Sequence, residues 1–136
     1  MDYSKYIGLP FIKGGRYLKR DGGLDCYGLV ALVYEQEKGL LLPDYQGIFL
    51  GEGNYQECTN TIYESPTYKD FIEVQKEKEG DILLFTVGGY PVHITICIGN
   101  NLMLHTTKDT NSVVENYRGL KWLKRFHSAY RYQKNQ

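Results

Sequence analysis

Between Cys26 and Lys38 lies the run Leu29-Val30-Ala31-Leu32-Val33-Tyr34, which is apolar on every face of a helix. A helix without a polar stripe must be covered on several sides, so the rest of the chain has to pack around it. Its limits are legible locally. Asp25 is a favoured N-cap residue, and Gly39 stands where a left-handed C-cap would end the helix. Upstream, residues 8–23 hold Gly8, Pro10, Gly14, Gly15, Gly22 and Gly23, which is loop chemistry.

Residues 40–79 are broken by Pro43, Gly47, Gly51, Gly53 and Pro66, and only a short helix over residues 54–64 is expected there. From Gly80 the pattern becomes that of strands. Ile82 to Phe85 reads as a buried strand, and Gly88-Gly89-Tyr90-Pro91 as a turn. Val92 to Ile98 alternates, with Ile94, Ile96 and Ile98 on one face and His93, Thr95 and Cys97 on the other. Leu102–Thr107, Ser112–Tyr117 and Phe126–Tyr132 are further strands. The order predicts an α+β fold: a central N-terminal helix packed on an antiparallel sheet with meander connections.

The hairpin between the two histidine-bearing strands sets a geometric condition. A two-residue loop, Asn100-Asn101, would put His93 and His105 on opposite faces of the sheet. A three-residue loop, Gly99 to Asn101, puts them on one face as diagonal neighbours, roughly 7–8 Å apart at the backbone. Asparagine tolerates the left-handed position such a loop requires, so the three-residue form is expected. The helix that carries Cys26 is then expected on that same face.

At 136 residues the chain is expected to form a single domain, 1–136. Sixteen basic and sixteen acidic side chains cancel, which argues against a nucleic-acid partner. Cys26, Cys58 and Cys97 are too few and too irregular for a disulfide framework, and no CxxC pair points to a metal site. The N-terminus shows no basic-then-apolar leader, and no apolar run has membrane-spanning length, so a soluble chain made in the cytoplasm is expected. Thirteen tyrosines suit groove walls and interfaces, where an apolar ring is buried and a hydroxyl stays wet.

Cys26 at a helix start, followed by His93 and His105, has the residue types of a cysteine hydrolase. A helix N-terminus favours the thiolate, and an imidazole within reach can accept and return its proton. A further polar group then orients that imidazole. His127, Cys58 and Cys97 read as structural, and Lys121, Lys124 and Arg125 as a solvated basic face.

The motifs Gly8-Leu9-Pro10-Phe11-Ile12-Lys13-Gly14-Gly15, Asp25-Cys26-Tyr27-Gly28-Leu29-Val30, Gly80-Asp81-Ile82-Leu83-Leu84-Phe85, His93-Ile94-Thr95-Ile96-Cys97-Ile98-Gly99-Asn100 and Leu102-Met103-Leu104-His105 follow one another in order. In that order they resemble the NlpC/P60 cysteine peptidases, which cleave cell-wall peptides on a papain-like fold. Roughly residues 40–75 would be a variable insert. The resemblance implies Cys26 as nucleophile, His93 as base and His105 as the residue that orients it, with no metal or organic cofactor. It implies peptidoglycan stem peptides as substrate, with cleavage at bonds such as γ-D-glutamyl–diamino acid. Asp25, Tyr27, Phe11 and Tyr17 would lie on the substrate side. Phe11 lacks the hydroxyl that a tyrosine often supplies there, and Tyr27 replaces a frequent serine. The Leu24–Val30 wording and the absent leader resemble the bacteriophage tail-associated branch. That implies a virion-borne enzyme acting in the periplasm or wall beside other tail tip proteins, or a tail subunit with a weak or inactive site.

Overall fold

A computed structural model describes residues 2–43, 70–108 and 110–133. The helix anticipated over residues 54–64, and Cys58 within it, lie outside the described residues. A 3-10 turn (Ser4–Tyr6) and a short helix α1 (Leu18–Asp21) precede the long helix α2 (Cys26–Lys38). Among the described residues six strands follow: β1 (Phe71–Val74), β2 (Ile82–Val87), β3 (Tyr90–Gly99), β4 (Leu102–Thr107), β5 (Thr110–Asn116) and β6 (Phe126–Tyr132). A single turn of helix, α3 (Leu120–Leu123), leads into β6.

The two ends of α2 form as the sequence predicts. The Asp25 side chain accepts the Gly28 backbone N–H at 2.8 Å, and Gly39 adopts φ 64° with its N–H turned back to the Tyr34 and Glu35 carbonyls. The first half of α2 is buried all round, from Cys26 to Val30, whereas Ala31 and Leu32 are only partly covered.

All six strands form one antiparallel sheet in the order β1-β6-β2-β3-β4-β5. Strands β2 to β5 make the expected meander. β6 departs from it by returning to pair with the free edge of β2, with β1 outside it.

The β3–β4 hairpin corrects one expectation. Its loop has two residues, Asn100 at φ 55° and Asn101 at φ 64°, both left-handed, closing on Gly99↔Leu102. A bulge between Cys97 and Gly99 then shifts the ladder by one residue, to Cys97↔Met103 and Ile96↔Leu104. Turn and bulge together produce the register of the three-residue loop, and His93 and His105 do share a face.

The helix takes the other face. Leu29, Val30 and Val33 of α2 pack on Ile82, Leu84, Val92, Ile94, Ile96 and Leu104. His93 stands opposite Phe85, which belongs with Leu83, Cys97, Met103, Tyr117 and Trp122 to a second apolar cluster across the sheet. The reason is polar satisfaction. An all-apolar helix buries more hydrocarbon on an isoleucine and leucine surface, while buried imidazoles need hydrogen-bond partners that such a helix lacks.

The glycine-rich loop is locked to the start of α2 by close backbone approach. A Cβ on Gly28 would stand 2.2 Å from the Gly15 carbonyl oxygen, and one on Gly15 would stand 2.3 Å from that of Gly23. Alanine at 28 improves helix propensity by about 1 kcal/mol, but the obstructing atom is backbone and cannot swing away. Gly28→Ala is therefore expected to destabilise the fold by about 1–3 kcal/mol in urea unfolding, despite being helix-favouring.

Candidate active site

The start of α2 is built around a buried ion pair that sequence reasoning missed. Arg16 donates through Nη1 to the Asp25 carboxylate, and both side chains are 1–2% exposed. The guanidinium also lies 5.2 Å from the centre of the Tyr27 ring. Burial pushes the Asp25 carboxyl up, against the opposing pull of Arg16 and of the Gly28 N–H. Asp25 thus anchors both the loop and the helix cap.

Cys26 follows at the first helical position and is 2% exposed. The β3–β4 ladder ends at Ile96↔Leu104, and beyond it the Ile94 backbone N–H reaches the Cys26 sulfur. Burial pushes the thiol up to about 12, with the Asp25 charge adding to it and the Ile94 N–H and Arg16 opposing. The lowering anticipated from the helix terminus is outweighed by desolvation, so the resting thiol is protonated at neutral pH.

His93 and His105 come together as one relay. His93 Nε2 lies 2.9 Å from His105 Nδ1, and His105 Nε2 lies 3.0 Å from Glu115 Oε1 on β5. Trp122 of α3 donates its indole N–H to the same oxygen at 3.2 Å and stacks on His93, with ring centroids 5.1 Å apart and planes 18° from parallel. Cys26 and His93 therefore meet β3 at adjacent residues, the sulfur from the α2 side and the imidazole on the opposite face.

Burial holds the His93 imidazole well below its usual range, helped by the neighbouring His105 ring and by the positive Arg125 and Lys121. Burial also lowers His105, with Glu115 working the other way. For Glu115, burial opposes ionisation, but the hydrogen bond and charge of His105 and the Trp122 N–H outweigh it, and its carboxyl sits below the usual value. The folded state thus holds two neutral histidines beside a carboxylate.

This has a signed consequence for stability. The native state binds fewer protons than the unfolded chain wherever free histidine is protonated, so stability is complete above the usual value of 6.5. It falls as pH drops below that value toward the depressed native ones. Urea midpoints measured from pH 7.5 to 5 are expected to decline, and a His93→Gln, His105→Gln double variant should show a flatter profile.

The remaining anticipated residues are scattered around this centre. Phe11 is half-buried and bridges Leu24 as a short parallel pair. Tyr17 is 45% exposed, with the Arg20 guanidinium 4.6 Å from its ring centre. Tyr27 is buried and donates its hydroxyl to the Pro43 carbonyl, so its phenol is committed to structure. His127 is exposed and bonds Ser128, and the Cys97 sulfur lies 3.8 Å from the Tyr117 hydroxyl. Lys121 and Arg125 do more than face solvent, because both lie over the Trp122 ring, at 5.4 and 4.5 Å. Among the described residues no cluster of three His, Cys, Asp or Glu could hold a metal ion.

The NlpC/P60 family profile matches residues 8–131. The chain belongs to the NlpC/P60 family. It is 26% identical over 129 residues to the murein DD-endopeptidase MepS/murein LD-carboxypeptidase of Escherichia coli K12, covering 95% of this chain and 58% of that protein. It is 30% identical over 109 residues to Protein P54 of Enterococcus faecium, covering 80% of this chain and 17% of that protein. The chain thus spans little more than half of the first relative and a small part of the second. Its fold matches the NlpC/P60 domain of the peptidoglycan hydrolase SagA with TM-score 0.61 at 24% identity, over 93% of this chain and 89% of that one. An NlpC/P60 family protein from Bacillus cereus aligns with TM-score 0.67 at 22% identity, over 96% of this chain and 38% of that one. The NlpC/P60 architecture, α+β with its helix against a curled antiparallel sheet, is thereby established for this chain.

Proposed function

We propose that this NlpC/P60 chain is a cysteine peptidase that cuts amide bonds of peptidoglycan stem peptides, such as γ-D-glutamyl–diamino acid. The observation that carries the reading is the buried His93–His105–Glu115 relay, together with a Cys26 sulfur bonded to the backbone N–H of Ile94, the residue after His93 on β3. Murein peptide cleavage is the activity named for the Escherichia coli relative, which supports the substrate class.

In this mechanism Cys26 is the nucleophile and His93 the base. The thiol rests protonated, so the thiolate forms as its proton passes to His93 with substrate in place. The sulfur attacks the amide carbonyl, and the Cys26 backbone N–H at the start of α2 receives the oxyanion. His93 returns the proton to the leaving amine, then activates the water that hydrolyses the thioester. In this reading Phe11 and Tyr17 lie on the substrate side, while Asp25 and Tyr27 hold the loop and helix start beneath it. Phe11 contributes shape without a hydroxyl donor. The chemistry uses neither metal nor organic cofactor.

Delivery by a bacteriophage tail, beside other tail tip proteins and with action in the periplasm or wall, is the finer part of the proposal; the Leu24–Val30 wording supports it. A second reading, a tail subunit with a dormant site, is favoured by one observation: the thiol is nearly sealed and pushed up to about 12. Digestion of purified muropeptides with mass analysis of the fragments separates the two. Cleavage by the wild type that is lost in Cys26→Ser supports the peptidase. No cleavage, together with a Cys26 that resists iodoacetamide from pH 6 to 8, overturns it in favour of the dormant subunit.

A further inference from the structure

We infer that Glu115 is a positioning residue that sets the tautomers of both buried histidines and so selects the ring nitrogen of His93 that acts as base. The inference deepens the peptidase reading and rests on it for its catalytic meaning, but its structural content can be measured without any activity.

The chain of bonds leaves little freedom. An ionised carboxylate only accepts, so the contact between His105 Nε2 and Glu115 Oε1, 3.0 Å, requires the proton on Nε2. The Trp122 indole only donates, and its N–H points at the same oxygen, 3.2 Å away, which keeps that atom an acceptor. Neutral His105 then has a bare Nδ1. That atom lies 2.9 Å from His93 Nε2, which must be the donor. His93 is left with its proton on Nε2 and a lone pair on Nδ1. The opposite arrangement would set a bare, buried His105 Nε2 against a half-buried carboxylate, two acceptors face to face.

The proton balance follows. When His93 Nδ1 takes the thiol proton, the S–H bond breaks, the sulfur keeps the electron pair, and His93 becomes an imidazolium. Its Nε2–H stays bonded to His105, whose Nε2–H stays bonded to Glu115. No proton moves to the carboxylate; its negative charge stabilises the imidazolium through the intervening ring. Trp122, stacked 5.1 Å from His93, fixes the ring plane that this geometry needs. Glu115 stands on β5 and Trp122 on α3, on opposite sides of the Tyr117–Gly119 turn, so one local segment supplies both supports. The charged and titratable groups facing the relay are Glu115, Lys121 and Arg125, and the last two oppose a positive His93.

The test is long-range proton–nitrogen NMR of the histidine side chains in the full-length protein at pH 7.5. Wild type is expected to show the Nε2–H pattern for both His93 and His105. In Glu115→Gln the side-chain oxygen still faces two donors, so the same pattern should persist. In Glu115→Ala it should give way to averaged or Nδ1–H signals at both rings. An Nδ1–H pattern for either ring in the wild type overturns the inference without any variant. So does an unchanged pattern in a folded Glu115→Ala protein. If muropeptides are cleaved, Glu115→Gln should lower kcat at least tenfold with little change in KM and move the acid limb of the rate profile to lower pH, because the imidazolium loses its counter-charge. Correct tautomers in a protein that cleaves nothing would remove the peptidase reading and leave the tautomer assignment standing.

Discussion

Replacing Arg16 with leucine is expected to cost about 3–5 kcal/mol of folding stability, more than any other single change at the start of α2. The expectation comes from desolvation rather than from pair attraction. Arg16 and Asp25 are both almost wholly buried, and Asp25 simultaneously caps the helix through the Gly28 N–H. Removing the guanidinium leaves a carboxylate with no counter-charge in a site water cannot reach. Asp25 would then take up a proton more readily still, and the loss should shrink as pH falls toward its raised value. Asn at 25 keeps an N-cap oxygen without the charge, so the double variant Arg16→Leu, Asp25→Asn should recover a large part of the loss. Chemical denaturation of the two singles and the double checks this. A single variant within about 1 kcal/mol of wild type would show the pair to be a surface ornament.

If the chain cleaves muropeptides as proposed, His93→Gln is expected to lower kcat by about 10^4-fold or more, as removal of a base from a coupled nucleophile site does elsewhere. Cys26→Ser should be equally damaging, and combining the two should add little, because they act as one unit. The pH dependence carries a sign that tests the assignment. The base must be neutral to accept the thiol proton, and burial holds His93 well below 6.5. The acid limb of kcat/KM should therefore lie below that value, with activity level across neutral pH. An acid limb at or above 6.5 would be inconsistent with His93 in this environment.

Much of this molecule was legible in order along the chain. Asp25 and Gly39 bound α2 because caps are chosen by local backbone chemistry. β4 and β6 occupy Leu102–Thr107 and Phe126–Tyr132, the bounds expected from the sequence. β1 was not foreseen, because Phe71–Val74 is a short strand following a segment with no clear period. The trio Cys26, His93 and His105 stood out by residue type and position. Glu115 and Trp122 did not, since a glutamate on an edge strand and a lone tryptophan are ordinary until a histidine is found beside them. Arg16 lay hidden in a glycine-rich loop, where its burial has no local signal.

Periodicity in the sequence by itself decided that Ile94 shares a face with Ile96 and His93 with Thr95, whereas the bulge between Cys97 and Gly99 brought His105 onto the His93 face. Only the tertiary structure decided which face α2 would cover. That choice depends on comparing hydrocarbon burial with hydrogen-bond satisfaction across elements tens of residues apart, and no local pattern contains it. The same holds for the thiol. A helix start favours the thiolate, yet burial beside Asp25 raises it, because desolvation is a property of everything packed around the sulfur and not of its neighbours in the chain.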